Sequence, residues 1–344
     1  MEQFFYFLET GRLPWQATEV LRRSLEKAVL SVLKKEEMRS AWREKFLDLL
    51  NRAEVGRRLG WQFSPKTLAV LAQHFFPERQ AEVAENLRQI EWVVTQTAAN
   101  PERLTAIFWA AFFEKPTAGV QLLPTVIQRF LEESPRKNKV FQQAAKTDEG
   151  IFLKKILEAL PTRQEETQMG EAKKVSIDQL EGLYLENAGL VLLHPFLPTF
   201  FEALGMAKAG ELTQPHRAAL LLLYLATNRT VAPEHLLPLN KLLCGLPLDE
   251  PVPGRIRLTK KEKTEAQNLL EAVINHWVVL KNTSTENLQG SFLCREGKLT
   301  LQADGEWRLR VEQKTWDVLL DSLPWGISVI RLPWMKEMLN VEWA

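Results

Sequence analysis

Cysteine is nearly missing from this chain: Cys244 and Cys294 are the two among 344 residues. That is too few for a cysteine metal cage or a disulfide framework, and a reduced, cytoplasmic setting is the simplest expectation. Both thiols read as small buried hydrophobes. Histidine is scarce, with five scattered copies, and no HExxH pair occurs. No GxxxxGK[ST] phosphate loop occurs either; Gly297-Lys298 lacks the preceding glycine and the following hydroxyl residue. The longest apolar run, Ala218 to Ala226, is about half of the ~20 residues that span a bilayer. The opening MEQFFYFLETG has no basic lead and does not read as a signal peptide. A formal charge of +1 supplies no strong positive field for nucleic acid. These absences set the expectation: a non-enzymatic protein with no cofactor or metal, no nucleic-acid partner and no membrane partner.

What remains is ordinary globular composition, 45% hydrophobic and 25% charged, long enough for two domains with sizeable cores. Helix signals dominate. Ser64-Pro65 and Asn100-Pro101 place a capping side chain before a proline at the first helical position. Val83, Leu87, Ile90 and Val94 follow a helical period, and Phe108 to Phe113 is apolar enough for the centre of a bundle. Gly56 and Gly60 read as the end of a long helix, and Arg57-Arg58 as a solvated helix face. Thr259-Lys260-Lys261-Glu262 is a capping-box pattern. From Ser291 the period changes. Ser291–Arg295, Lys298–Gln302 and Trp307–Val311 alternate, with Glu296-Gly297 and Asp304-Gly305 as turn signals. The stretch 161–175, PTRQEETQMGEAKKV, is polar and can bury little. The expected fold is therefore mainly α: a helical N-terminal domain over 1–160, a linker over 161–175, and a helical domain over 176–344 that ends in a small β element.

One stretch stands out, Leu183 to Met206, LYLENAGLVLLHPFLPTFFEALGM. It reads as two short apolar helical pieces, broken at His194-Pro195-Phe196 and Leu197-Pro198 because proline lacks a backbone donor. Asn187 can cap the first piece, with Glu186 beside it as a capping partner. Gly205 can close the second in a left-handed conformation. With so few charges the stretch must be buried. His194 reads as a helix-end hydrogen-bonding residue. A second feature is Leu-Pro-Trp, repeated at 13–15, 323–325 and 332–334, which places Trp15, Trp325 and Trp334 beside stiffening prolines as anchors for the ends of the chain or for a partner.

These blocks carry a resemblance. Glu186-Asn187-Ala188-Gly189-Leu190 followed by Leu193-His194-Pro195-Phe196-Leu197 resembles the signature of the contractile injection system tape measure family, whose members belong to phage-tail-like particles. Thr10-Gly11-Arg12-Leu13-Pro14-Trp15 is similar to that family's opening. Leu323-Pro324-Trp325-Gly326, Leu332-Pro333-Trp334-Met335 and Val341-Glu342-Trp343 are similar to its ending. The resemblance implies an assembly protein that governs inner-tube length. Its implied partners are tube, baseplate or cap proteins and an AAA-type ATPase, and its location is the cytoplasm or the injection particle. The residues expected to act as structural or partner anchors are Trp15, Glu186, Asn187, Gly189, His194, Pro195, Phe196, Pro198, Trp325, Trp334 and Trp343. The frequent prolines and separate caps favour a compact module over a continuous rod. This leaves open an alternative expectation, an adaptor or chaperone that nucleates or caps the tube without measuring it.

Overall fold

The computed structural model describes residues 1–13, 24–35, 40–115, 122–147, 150–160 and 182–343. The linker stretch 161–175, Trp15 and the pair Arg22-Arg23 lie outside the described residues. The chain divides into two compact units, Met1–Glu9 with Ala17–Lys174 and Thr10–Gln16 with Val175–Ala344.

The described part of the first unit is helical: α1 Glu2–Thr10, α2 Leu25–Lys35, α3 Ser40–Leu49, α4 Ala53–Gln62, α5 Pro65–Phe75, α6 Gln80–Thr97, α7 Pro101–Glu114, α8 Leu122–Glu133, α9 Asn138–Ala144 and α10 Ile151–Ala159. Caps fix several boundaries. The Ser64 hydroxyl accepts from the Thr67 N–H at 3.3 Å, and Asn100 Oδ1 accepts from the N–H groups of Glu102 at 3.0 Å and Arg103 at 3.3 Å. Each cap satisfies helix donors that have no partner within the first turn. The core is aromatic. Phe46 meets Phe75 with ring centroids 4.2 Å apart, and Trp109, Phe112 and Phe113 on α7 are buried together.

Two expectations fail here for one reason. Gly56 and Gly60 do not end a helix; they lie within α4, on the stripe that meets α7. A Cβ on Gly56 would come within 3.0 Å of Ala110 O, and one on Gly60 within 2.7 Å of Ala110 N. The glycines cost helix propensity but allow two backbones to approach more closely than side chains permit. Arg58, on the same helix, is fully buried and not solvated; its guanidinium donates to the Leu8 carbonyl. A buried cation needs such a partner.

The second unit joins helices to a five-stranded sheet. Its strands are β1 Leu183–Leu185, β4 Gly297–Leu301, β5 Trp307–Val311, β6 Val329–Ile330 and β7 Leu339–Glu342, with β2 Ala207–Lys208 and β3 Glu211–Leu212 forming a separate short hairpin. The order is β1-β4-β5-β7-β6, and β5 and β7 run parallel while the other neighbours are antiparallel. Trp307, Leu309 and Val311 alternate inward with Arg308 and Arg310 outward, the period of two that a half-buried strand requires. Leu185, Leu299, Leu339 and Val341 join the buried face. Against this core lie α11 Leu197–Ala203, α12 Pro215–Thr227, α13 Pro238–Leu243, α14 Lys260–His276 and α15 Thr285–Leu288. The capping box of α14 is complete: Glu262 N–H donates to the Thr259 hydroxyl at 3.2 Å, and Thr259 N–H to a Glu262 carboxylate oxygen at 2.7 Å.

The chain is mainly α with a small sheet near its C-terminus, but the sheet differs in membership from the sequence reading. Ser291–Arg295 is not a strand. Residues Gln289–Leu293 continue α15 as a wide π turn that buries Phe292 and Leu293; a short apolar run does not by itself distinguish strand from helix. Gly297 consequently opens β4 and does not make a turn between strands. Besides β5, it pairs antiparallel with β1, at the start of the signature stretch, through the pair Leu185–Gly297. Asp304-Gly305 does make the turn between β4 and β5, with Gly305 at φ +85°. No helix among the described residues is long and apolar enough to cross a membrane.

Candidate functional site

The signature stretch is the centre of the second unit. After β1 the chain winds as a 3-10 turn over Ala188–Leu193, every residue of which is buried. His194-Pro195-Phe196 turns the chain, and α11 begins at Leu197 with Pro198 in its first turn. Pro198 therefore starts the second helix instead of breaking one, at a position where a missing N–H costs little. Gly205 ends the stretch at φ +71°, and the Met206 N–H returns to Phe201 O at 2.8 Å.

Asn187 does not cap the turn it precedes. Its side chain is buried, and its Nδ2 donates to Asn240 Oδ1 at 2.8 Å. Asn240 Nδ2 in turn donates to Ala219 O at 3.0 Å. This amide relay ties the start of the signature turn to α13 and α12. Nothing in the sequence marks Asn240, which with Lys241 is one of two polar residues in the short helix PLNKLL. Glu186 is exposed and takes no part. Gly189 lies against the π turn: a Cβ there would overlap the Phe292 carbonyl oxygen and stand 2.7 Å from its carbon.

His194 is half-buried, and its Nδ1 lies 2.9 Å from Val191 O, the helix-end bond expected for it. A carbonyl only accepts, so Nδ1 carries the proton. Burial lowers the imidazole pKa and the bond to Val191 opposes this. Pro195 is exposed, while Phe196 packs edge-on against Trp325 with centroids 5.2 Å apart and against His276 at 5.6 Å.

The C-terminal tryptophans converge on the same region. Trp325 Nε1 donates to Leu192 O at 3.1 Å. Trp334 Nε1 donates to Leu243 O at 2.8 Å, with its ring 5.8 Å from Phe201. Trp343 Nε1 donates to Asp317 Oδ2 at 3.1 Å, under the Arg295 guanidinium 5.3 Å from its ring. Arg295 grips Asp317 with two bonds of 2.7 Å. Burial pushes the Asp317 carboxyl up, but Arg295, the Lys314 N–H and Trp343 outweigh it and hold the group below the usual carboxylate range. The stability this contributes is present above the unfolded aspartate range and is lost as pH falls through the lower, folded value. Arg295 and Asp317 escaped the sequence reading because 22 residues separate them.

All three rings are half-buried, so each truncation removes partial burial plus one hydrogen bond. Trp325→Ala and Trp334→Ala should each cost the second unit about 2–3 kcal/mol, below the ~3–5 of a fully buried tryptophan. Trp→Phe at either position should cost about 1 kcal/mol, the bond alone. Urea unfolding checks this; equal losses for Ala and Phe would mean that ring packing contributes nothing.

The cysteines divide. Cys244 is buried, and burial pushes its thiol well up. Cys294 is exposed, contrary to expectation, with its thiol 3.1 Å from Ala226 O. His216 sits in the first turn of α12, 3.2 Å from a Glu250 carboxylate oxygen. Among the described residues no group of three His, Cys, Asp or Glu side chains could hold a metal ion. The outer sheet face has a groove lined by Tyr184, Lys298, Arg310 and Glu342, among others.

This is a mainly helical protein whose signature residues are engaged in packing, amide pairing and indole-to-carbonyl bonds. The family model for contractile injection system tape measure proteins matches residues 1–343, and the chain belongs to that family. Membership implies interaction with other parts of the contractile injection particle. No curated protein and no solved structure matches the chain.

Proposed function

We propose that this chain is a non-enzymatic assembly protein that governs inner-tube length in a contractile injection particle, and that it acts through folded units and not as one extended rod. The family match over residues 1–343 carries the reading. Its partners in this reading are tube, baseplate or cap proteins, with an AAA-type ATPase as an assembly factor. The non-enzymatic part is supported by the structural uses of the prominent polar groups: Arg295 pairs with Asp317 and Asn187 with Asn240, as above, and Arg217 on α12 pairs with Glu262 at 2.6 Å. The folded-unit part is supported by helix length. The longest described helix, Gln80–Thr97, has 18 residues, about 27 Å at ~1.5 Å per residue.

Deleting the chain from a particle-producing strain should abolish particles or broaden their length distribution in electron micrographs; an unchanged distribution would end the length-governing reading. A second experiment addresses mechanism. About 20 Gly/Ser residues inserted between Pro161 and Val175 should cost little in loop closure, since doubling a flexible loop costs only ~0.6 kcal/mol. Tube length should not grow in proportion to the insertion. Tubes that lengthen steadily with each added block would establish an extended ruler instead.

A further inference from the structure

The outer face of the sheet carries a short block of positive charge along β5. Trp307, Leu309 and Val311 face the core, so the outward positions from just before the strand to just after it are Glu306, Arg308, Arg310 and Glu312. Arg308 and Arg310 lean on one carboxylate, Glu342 of β7. Arg308 Nε lies 3.4 Å from Glu342 Oε1, and Arg310 Nε lies 3.1 Å from Oε2. Among the described residues the terminal nitrogens of the two guanidinium groups make no hydrogen bond, and the side chains are 46% and 73% exposed. Lys298 on β4 stands directly opposite Arg310, is exposed, and has no ion-pair partner among the described residues. Like charges set opposite one another destabilise a sheet. A local rule broken on an exposed face without an internal gain points to a surface kept for a partner. A groove of about 710 Å³ runs over this block, with Tyr184 opposite Lys298.

The charges of the face define its occupant. Lys298, Arg308 and Arg310 share the single carboxylate of Glu342, so two further carboxylates would neutralise the block. Both ends of the block are acidic. Glu306 lies at one end, accepting from Asn340 Nδ2 at 2.7 Å. At the other end Glu312 pairs with Lys314 at 2.7 Å, and its N–H donates to the carbonyl of the exposed Glu296 at 2.9 Å. A long polyanion, such as a nucleic-acid backbone, would meet these glutamates at both ends. An extended peptide presents side chains to one face at every second residue, a repeat of about 6.6 Å. Arg308 and Arg310 are two residues apart on one strand and share that repeat. Each guanidinium fork can donate two parallel bonds to a carboxylate. We propose that this face binds an extended acidic segment of a partner protein, one with carboxylates at two alternate positions. The proposal does not depend on the length-governing role.

Fluorescence anisotropy of labelled peptides with the full chain at low salt tests it. The probe is a threonine-rich heptapeptide with glutamates at its third and fifth positions. It should bind saturably, with half-saturation below about 0.3 mM, as weak binding through two charge-assisted contacts on an exposed face. Glutamine at both positions should weaken binding at least about tenfold. Setting the two glutamates side by side points them to opposite faces of an extended chain, and should weaken it at least about fivefold. Arg308→Gln with Arg310→Gln should also cost at least about tenfold in affinity, with melting unchanged because both side chains are exposed. No saturation at the stated concentration would overturn the proposal, as would equal affinity for the two glutamate spacings or a double variant that binds like the wild type. An oligothymidylate bound more tightly than the peptide, and lost in the same double variant, would overturn it in favour of nucleic acid.

Discussion

Gly189→Ala should destabilise the second unit by about 3 kcal/mol or more, the upper part of the range for overpacking a close-packed site. The added methyl would overlap the Phe292 carbonyl oxygen and stand 2.8 Å from Leu293 Cα. Both neighbours are backbone, so no change of rotamer relieves the overlap. The signature turn and the π turn would have to separate. The same approach is held by the Ala188 N–H to Arg295 O bond of 2.9 Å, and by Ala188 lying against Gly297, where a Cβ would come within 2.7 Å of the alanine methyl. At ~2–4 °C per kcal/mol for a unit of this size, the melting temperature should fall by about 6–12 °C. Gly205 is the control. Its φ of +71° favours glycine, but a Cβ there would meet nothing within 4 Å. Gly205→Asn, which tolerates the left-handed region, should therefore cost well under half as much. Equal losses at the two glycines would mean that close approach is not what Gly189 provides.

The contrast between these glycines shows what was legible in the sequence. Gly205 follows a short helix and ends it by a local rule, so it could be read in place. Ser64, Asn100 and the Thr259–Glu262 pair were legible for the same reason: cap and recipient lie within three residues of one another. Gly56, Gly60 and Gly189 have no such local signature. The first pair faces a helix some fifty residues later, and Gly189 faces a turn about a hundred residues later. From sequence alone a glycine for close approach is indistinguishable from a glycine for termination. The sheet divides in the same way. The β4–β5 hairpin shows its turn residues, whereas β1 takes its register from a strand about 110 residues away, and β7 pairs in parallel with β5 across an intervening turn and β6. The candidate site was half legible. Its apolar stretch and tryptophans were visible, but their acceptors, Leu192 O and Leu243 O, are backbone atoms that no residue type announces. Asn187 was misread because asparagine before a helix most often caps it, while here burial beside Asn240 gives its amide a long-range partner.

Lys241→Met should cost the second unit about 3–5 kcal/mol, through the charge it leaves behind. Lys241 on α13 and Glu234 in the preceding 3-10 turn form an ion pair of 2.6 Å with side chains 1% and 0% exposed. The ammonium also donates to Leu248 O at 2.8 Å, which fastens the loop after Gly245. Taking two charges out of water is expensive, and their mutual attraction offsets that cost only while both are present. Methionine fills nearly the same volume but cannot donate to the carboxylate, so Glu234 would lose its Lys241 contact while staying buried. Removing the partner as well reverses most of the loss: replacing a buried pair by apolar residues is often neutral or stabilising. Lys241→Met with Glu234→Leu should therefore recover all but about 1–3 kcal/mol, the cost of leaving Leu248 O without its ammonium donor. Urea unfolding of the two single variants and the double variant gives the coupling directly as a double-mutant cycle. Additive losses would show that the pair is held apart or hydrated in solution, and that apolar packing alone fixes the loop over α13.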